Sequence, residues 1–232
     1  MGNLSAYDRL VPSALRVAVA IPFVYFGIQV IAASLYPGYS FLNRDASTLG
    51  SEGSAHPWIF NGGSIIVGIM SLVAAWGFLR ALAREKVHPL LAWLTCLALM
   101  AFGLESINAG IFPLPDPRHA SGPLAIIGVG CLAIPVLLPA ALWKLRDVRR
   151  LKIFFVVNLL VLIALLPIIS GMIQVVLVKS GTEWPSYQNF LNNYHGLLQR
   201  VAAFILLAPI SAAAYVLARR FKDLASPATL AI

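Results

Sequence analysis

PLLAWLTCLALMAFGLESINAGIF, residues 89–112, decides the fold. Its one charge is Glu105, and everything else is apolar, small or weakly polar. A helix needs about 20 such residues to cross a hydrocarbon core about 30 Å thick. Five more runs of the same kind occur at 13–36, 58–82, 122–143, 153–178 and 196–218, and their length marks each as a helix. A lipid-exposed backbone must satisfy its own hydrogen bonds, and the alternating pattern of a membrane barrel is absent. The expected fold is therefore all-α: a polytopic bundle of six transmembrane helices in one integral membrane domain, 1–232, with short loops.

Composition supports this. Of 232 residues, 59% are hydrophobic and 11% charged, with a mean hydropathy of +0.84, whereas soluble domains carry about 25% charge. The net charge of +8 does not point to nucleic acid, because the cations lie in short clusters beside apolar runs. Arg9, Arg16, Arg80, Arg84, Lys86, Lys144, Arg146, Arg149, Arg150, Lys152, Arg219, Arg220 and Lys222 make thirteen on one side. Arg44, Arg118 and Lys179 make three on the other, and only Arg200 falls inside a span. The positive-inside rule then puts both termini in the cytoplasm of a multi-pass protein of the cell (inner) membrane. The first apolar run is longer than the core of a signal peptide and reads as a retained helix. Cys96 and Cys131 lie in different spans at different depths and read as packing residues.

Polar chemistry gathers at the opposite, outer side. Glu105 lies seven residues before the end of the third run and Arg200 five residues past His195, at similar depths of ~10 and ~8 Å at 1.5 Å per residue. An ion pair between them is geometrically allowed if the third and sixth helices are neighbours, and it would lessen the cost of burying both charges. Gln29, Asn61, Asn108, Ser170, Gln174 and Gln199 lie near the same depth, while the cytoplasmic halves of the helices are almost purely apolar apart from Asn158. Singly, each amide reads as glue between helices. As a set they predict an outward-facing polar pocket, to which Arg44 and Asp45 of the first outer loop also contribute. The small and polar stripe Asn61, Ser64, Gly68 and Ser71 reads as a close helix-packing face, and prolines 22, 135, 139, 167 and 209 predict kinks.

Three histidines, His56, His119 and His195, belong to the outer face, with Asp45, Asp116 and Glu105 as nearby carboxylates. Such a set suits a zinc ion, but no HxxxH or HExxH pair exists, so interfacial hydrogen bonding is the more economical role. The loop YPGYSFLNRDASTLG, residues 36–50, has turn chemistry at both ends and hydrogen-bonding side chains between, as a fold-back lid requires.

The Pro37–Ser40 and Ser47–Gly50 motifs leading into Trp58–Asn61, the segment from Gly110 to Pro113 with Asp116 and His119, and Gly196–Arg200 opening the last helix together resemble the bacterial and archaeal domain-of-unknown-function family nine-nine-eight. These motifs span almost the whole chain. The resemblance implies six helices and an outer polar surface, without an activity; this chain has Thr48 where that pattern has Glu, and Gln199 where it often has an acidic residue. Three functions follow as expectations. The first is binding or moving a lipid-like or small anionic amphiphile, with Arg200 on the anionic group, Glu105 orienting it and membrane lipids as partners. The second is an intramembrane hydrolase or transferase using zinc or an acid/base pair from the histidines and carboxylates. The third is an accessory subunit packed among other membrane subunits.

Overall fold

Most helices carry proline at their first or second position, where its fixed φ and missing N–H suit the first turn. In the computed structural model, which describes the backbone of residues 10–177 and 185–223 and the side chains of 10–165 and 193–221, α1 runs Val11–Ser34, α2 Pro57–Arg84 and α3 Pro89–Ile111. A broken segment follows, comprising α4 Arg118–Ser121, α5 Pro123–Gly128, a 3-10 turn Val129–Ala133 and α6 Ile134–Leu142. Then come α7 Arg149–Leu177 and α8 Pro185–Asp223. The loop between α1 and α2 carries its own 3-10 turn, Ala46–Gly50. Among the described residues there is no strand.

Five helical stretches are long and apolar enough to cross a membrane: Val11–Ser34, Pro57–Arg84, Pro89–Ile111, Pro123–Leu142 and Asn193–Phe221. The expected span at 153–178 coincides with α7, whose outer part lies outside the described side chains. The expected span at 122–143 is found at Pro123–Leu142. The structure divides it into α5, the 3-10 turn and α6. Pro135 and Pro139 cannot donate to the carbonyls one turn back, so the ladder tightens into a 3-10 turn before them.

The main core runs through the bundle from its basic end. Val11, Leu15, Ala18 and Ile21 of α1 belong to one buried cluster with Phe78, Ala81 and Leu82 of α2 and with Ile210, Ala213, Ala214 and Leu217 of α8. At the same end Arg220 binds Glu85 at 2.8 Å and Arg84 stacks on Phe221. Large apolar residues such as Phe23, Ile66, Leu97 and Leu160 are instead exposed on the outside of the helices, where a bilayer rather than water suits them. α2 and α3 pack most closely of all: a Cβ on Gly103 would lie 2.9 Å from the Gly68 carbonyl oxygen and 3.2 Å from the Ser71 side chain. The stripe that includes Gly68 and Ser71 does face a neighbouring helix.

At the other end Leu49 is fully buried with Ala32, Ala46 and Phe60 in a second, smaller cluster. That cluster seats the loop between α1 and α2 on those two helices. Gly38 leaves α1 at φ +73°, a left-handed conformation that side chains rarely adopt, and so turns the loop back over the bundle.

Candidate functional site

The loop seated in this way ends up against the N-terminal half of the described part of α8. Gly196 gives it room: a Cβ there would collide with the Arg44 backbone. The Leu197 N–H donates to the Leu42 carbonyl at 3.0 Å. One turn further in, Arg200 is 8% exposed, and its Nη1 donates to the carbonyls of Arg44 at 3.0 Å and Gly196 at 2.7 Å, with a longer contact of 3.3 Å to Phe41. Its Nη2 donates to the Tyr39 hydroxyl, which itself donates to the Asp45 carbonyl at 2.9 Å. The guanidinium also sits 4.8 Å from the centre of the Phe41 ring, a favourable cation–π distance. Burial pushes the Tyr39 hydroxyl up from its ordinary value, and the Arg200 charge only partly offsets this.

Two further bonds complete the fastening. The Ala46 N–H donates to Gln199 Oε1 at 2.7 Å, and His195 Nδ1 meets Asp45 Oδ1 at 2.9 Å. From below, Asn61 Nδ2 donates to the Gly50 carbonyl at 3.0 Å. Arg200, Gln199, His195, Asp45, Asn61 and the Arg44 backbone are thus brought together around one loop, while the Arg44 side chain lies over the Tyr36 ring. Asn108 serves the segment after α3 instead, donating to the Arg118 and His119 carbonyls at 3.0 and 3.2 Å. In that segment the hydrogen bonds from Arg118 hold the half-buried Asp116 carboxyl down to about 2.

Glu105 and Arg200 do not pair. α3 packs on α2 and α6, α8 packs on α1, α6 and α7, and these intervening helices keep the two charges apart. Glu105 instead lies against Gly128 of α5, where a Cβ would collide with its side chain. Among the described residues its carboxylate receives no hydrogen bond or ion pair. Tyr25 of α1 stands one turn before Gln29 on the same helix. Gln29 is 1% exposed; its Nε2 donates weakly to the Tyr25 carbonyl at 3.4 Å, and its Oε1 is buried without a partner. Arg200 Nε is likewise buried and unpartnered. Gln174 and Ser170 lie outside the described side chains.

The histidines are dispersed. His119 Nδ1 bonds the Phe112 carbonyl at 2.8 Å, His195 bonds Asp45, and His56 faces Trp58 edge-on. Among the described residues no three His, Cys, Asp or Glu side chains come together as a metal would require. Sequence reasoning does not single out Tyr39, Tyr25 or Gly196. Only the aromatic richness of the loop and the short Gly196–Arg200 motif hint at them.

Long apolar helices carrying apolar side chains on their outer faces define a multi-pass integral membrane protein. Within that class the chain belongs to the family described as protein of unknown function DUF998, whose model matches residues 18–216. No curated protein and no solved structure matches the chain.

Proposed function

We propose that this protein holds an anionic amphiphile in a polar layer at the outer side of the cell membrane, with Arg200 as the anion-binding group. The observation that supports this most is the state of the Arg200 charge. It is buried, its partners are carbonyls, a phenol and aromatic rings rather than a carboxylate, and its Nε has none. A buried cation without a counter-charge is costly in a membrane, and a guanidinium matches the oxygens of phosphate or carboxylate. The first outer loop then acts as a lid: its backbone preorganises the guanidinium and covers the layer from outside.

The test is retention of a phosphate-bearing lipid, phosphatidylglycerol, by the detergent-purified protein, read by native mass spectrometry. Arg200→Lys keeps the charge and loses the fork, and should lower retention about tenfold, equivalent to about 1.4 kcal/mol. Arg200→Gln should lower it further. Equal retention by all three proteins, each eluting as a single species, refutes the reading.

A further inference from the structure

A groove of about 530 Å³ runs along three helices, with Val19 and Phe23 of α1, Phe154 of α7, and Phe204, Ser211 and Tyr215 of α8 in its walls. Its volume is that of a small-molecule cleft, and its lining is almost wholly apolar. The Ser211 hydroxyl already donates to the Val19 carbonyl at 3.0 Å. From Phe204 to Tyr215 is eleven residues, a rise of ~16 Å, which is about half the thickness of a hydrocarbon core of ~30 Å. The groove therefore has the reach of one leaflet.

Its basic end is charged. The Tyr215 hydroxyl in the wall accepts from Arg219 Nη1 at 3.2 Å, and the guanidinium lies 5.6 Å from the centre of the same ring. Arg16 stands three residues before Val19 and Arg150 four before Phe154, one turn away on the same helix faces. All three arginines are exposed, and among the described residues none has a carboxylate partner. Glu85, at the same end, is already bound through both oxygens by Arg220. Cations beside a span serve topology wherever they point; these three are set apart by their faces, and Arg219 by its contact with the groove wall.

We propose that the groove is a lipid site of the leaflet at the basic end. One acyl chain of an anionic glycerophospholipid lies between α1, α7 and α8, and its phosphate meets Arg219, Arg16 and Arg150. Basic clusters beside a span attract anionic headgroups, and a guanidinium fork fits phosphate oxygens in pairs. A chain suits the groove better than a partner helix. Helices in membranes meet through small residues that let backbones approach, whereas Phe23 and Phe204 stand 73% and 57% exposed here and hold a second helix off. The site is separate from Arg200, which lies nineteen residues from Arg219 along α8, or ~28 Å, and it does not depend on the reading of that residue.

The experiment places full-length protein in mixed micelles with phosphatidylglycerol carrying a diazirine on one acyl chain, and maps the photolabelled residues by mass spectrometry. Label should concentrate on residues 19–26 and 204–215, and unlabelled phosphatidylglycerol should displace it about tenfold more effectively than phosphatidylcholine. Arg16→Gln with Arg219→Gln should lower this labelling about tenfold. Arg16→Lys with Arg219→Lys keeps the charge and should retain at least half of it, which separates lost attraction from lost folding. Ala208→Trp should abolish it by filling the groove, and Arg200→Gln should leave it unchanged. Label spread evenly over the lipid-facing helices, equal displacement by the two lipids, or full labelling in the paired glutamine variant overturns the proposal. Loss of groove labelling in Arg200→Gln overturns it as a separate site. A dimeric mass with the groove unlabelled assigns the groove to a second copy of the chain and overturns it too. Displacement by glycerol 3-phosphate as effective as by phosphatidylglycerol assigns the arginines to a soluble anion and overturns the acyl-chain half.

Discussion

Arg200 is held by the Gly196 carbonyl of its own helix and by two carbonyls of a loop more than 150 positions earlier in the chain, and Tyr39 is the side chain through which helix and loop communicate. The phenol must keep its proton to donate to the Asp45 carbonyl while accepting from Arg200. Burial favours that neutral form and raises the Tyr39 pKa above its ordinary 10.0. The folded state therefore binds this proton more tightly than the unfolded state. Its contribution to stability is complete below pH 10 and is lost as pH rises beyond it toward the folded-state value. Tyr39→Phe should lower thermal stability at neutral pH by about 1–2 kcal/mol through lost hydrogen bonds and remove this part of the alkaline decline. Melting curves of the purified protein at neutral and alkaline pH measure both effects, and an identical alkaline slope in the variant contradicts the assignment.

At the scale of elements, backbone approach between α2 and α3 sets the geometry of the bundle, because it fixes where Asn61, Glu105 and Asn108 emerge. Gly103 faces the Gly68 carbonyl and the Leu72 side chain at 2.9 and 3.1 Å from the position a Cβ would take. Gly103→Val should overpack this contact and cost about 1–3 kcal/mol. Gly62, on α2, is the control, because the space its missing Cβ would take is open to 4 Å: Gly62→Ala should be neutral or stabilising by about 0.5–1 kcal/mol. Unfolding both variants in a mild-to-denaturing detergent series separates the predictions, and equal losses would show that close approach is not the cause. The small stripe on α2 was legible because residues at helical spacing share a face. The break in the fourth span was only half legible: the prolines announced a kink, but whether the ladder tightens, bends or reseats depends on the neighbours.

Over the whole molecule, two ends of opposite character face each other across the bundle. One gathers Arg84, Arg220 and Glu85, the other the loop, His195 and Arg200. If the basic end is cytoplasmic, as the charge bias requires, Glu52→Cys in a background lacking Cys96 and Cys131 should react with an impermeant maleimide in intact cells. Asp147→Cys in the same background should react only after permeabilisation. The reverse pattern would turn the polar layer inward and remove any access from outside.

The sequence alone determined the helical class, the membrane and the end at which the unusual polar groups collect, because these follow from run length, backbone hydrogen bonding and charge counts along the chain. It also marked most residues of the candidate site, since a charge or amide within an apolar run stands out against its surroundings. It left open which of them meet. Lateral order in a bundle is set by packing of small residues and loop closure, to which hydropathy is blind. Tertiary structure therefore decided that Arg200 meets the loop backbone and Tyr39 rather than Glu105, that Asp45 meets His195, and that α6 packs on both α3 and α8.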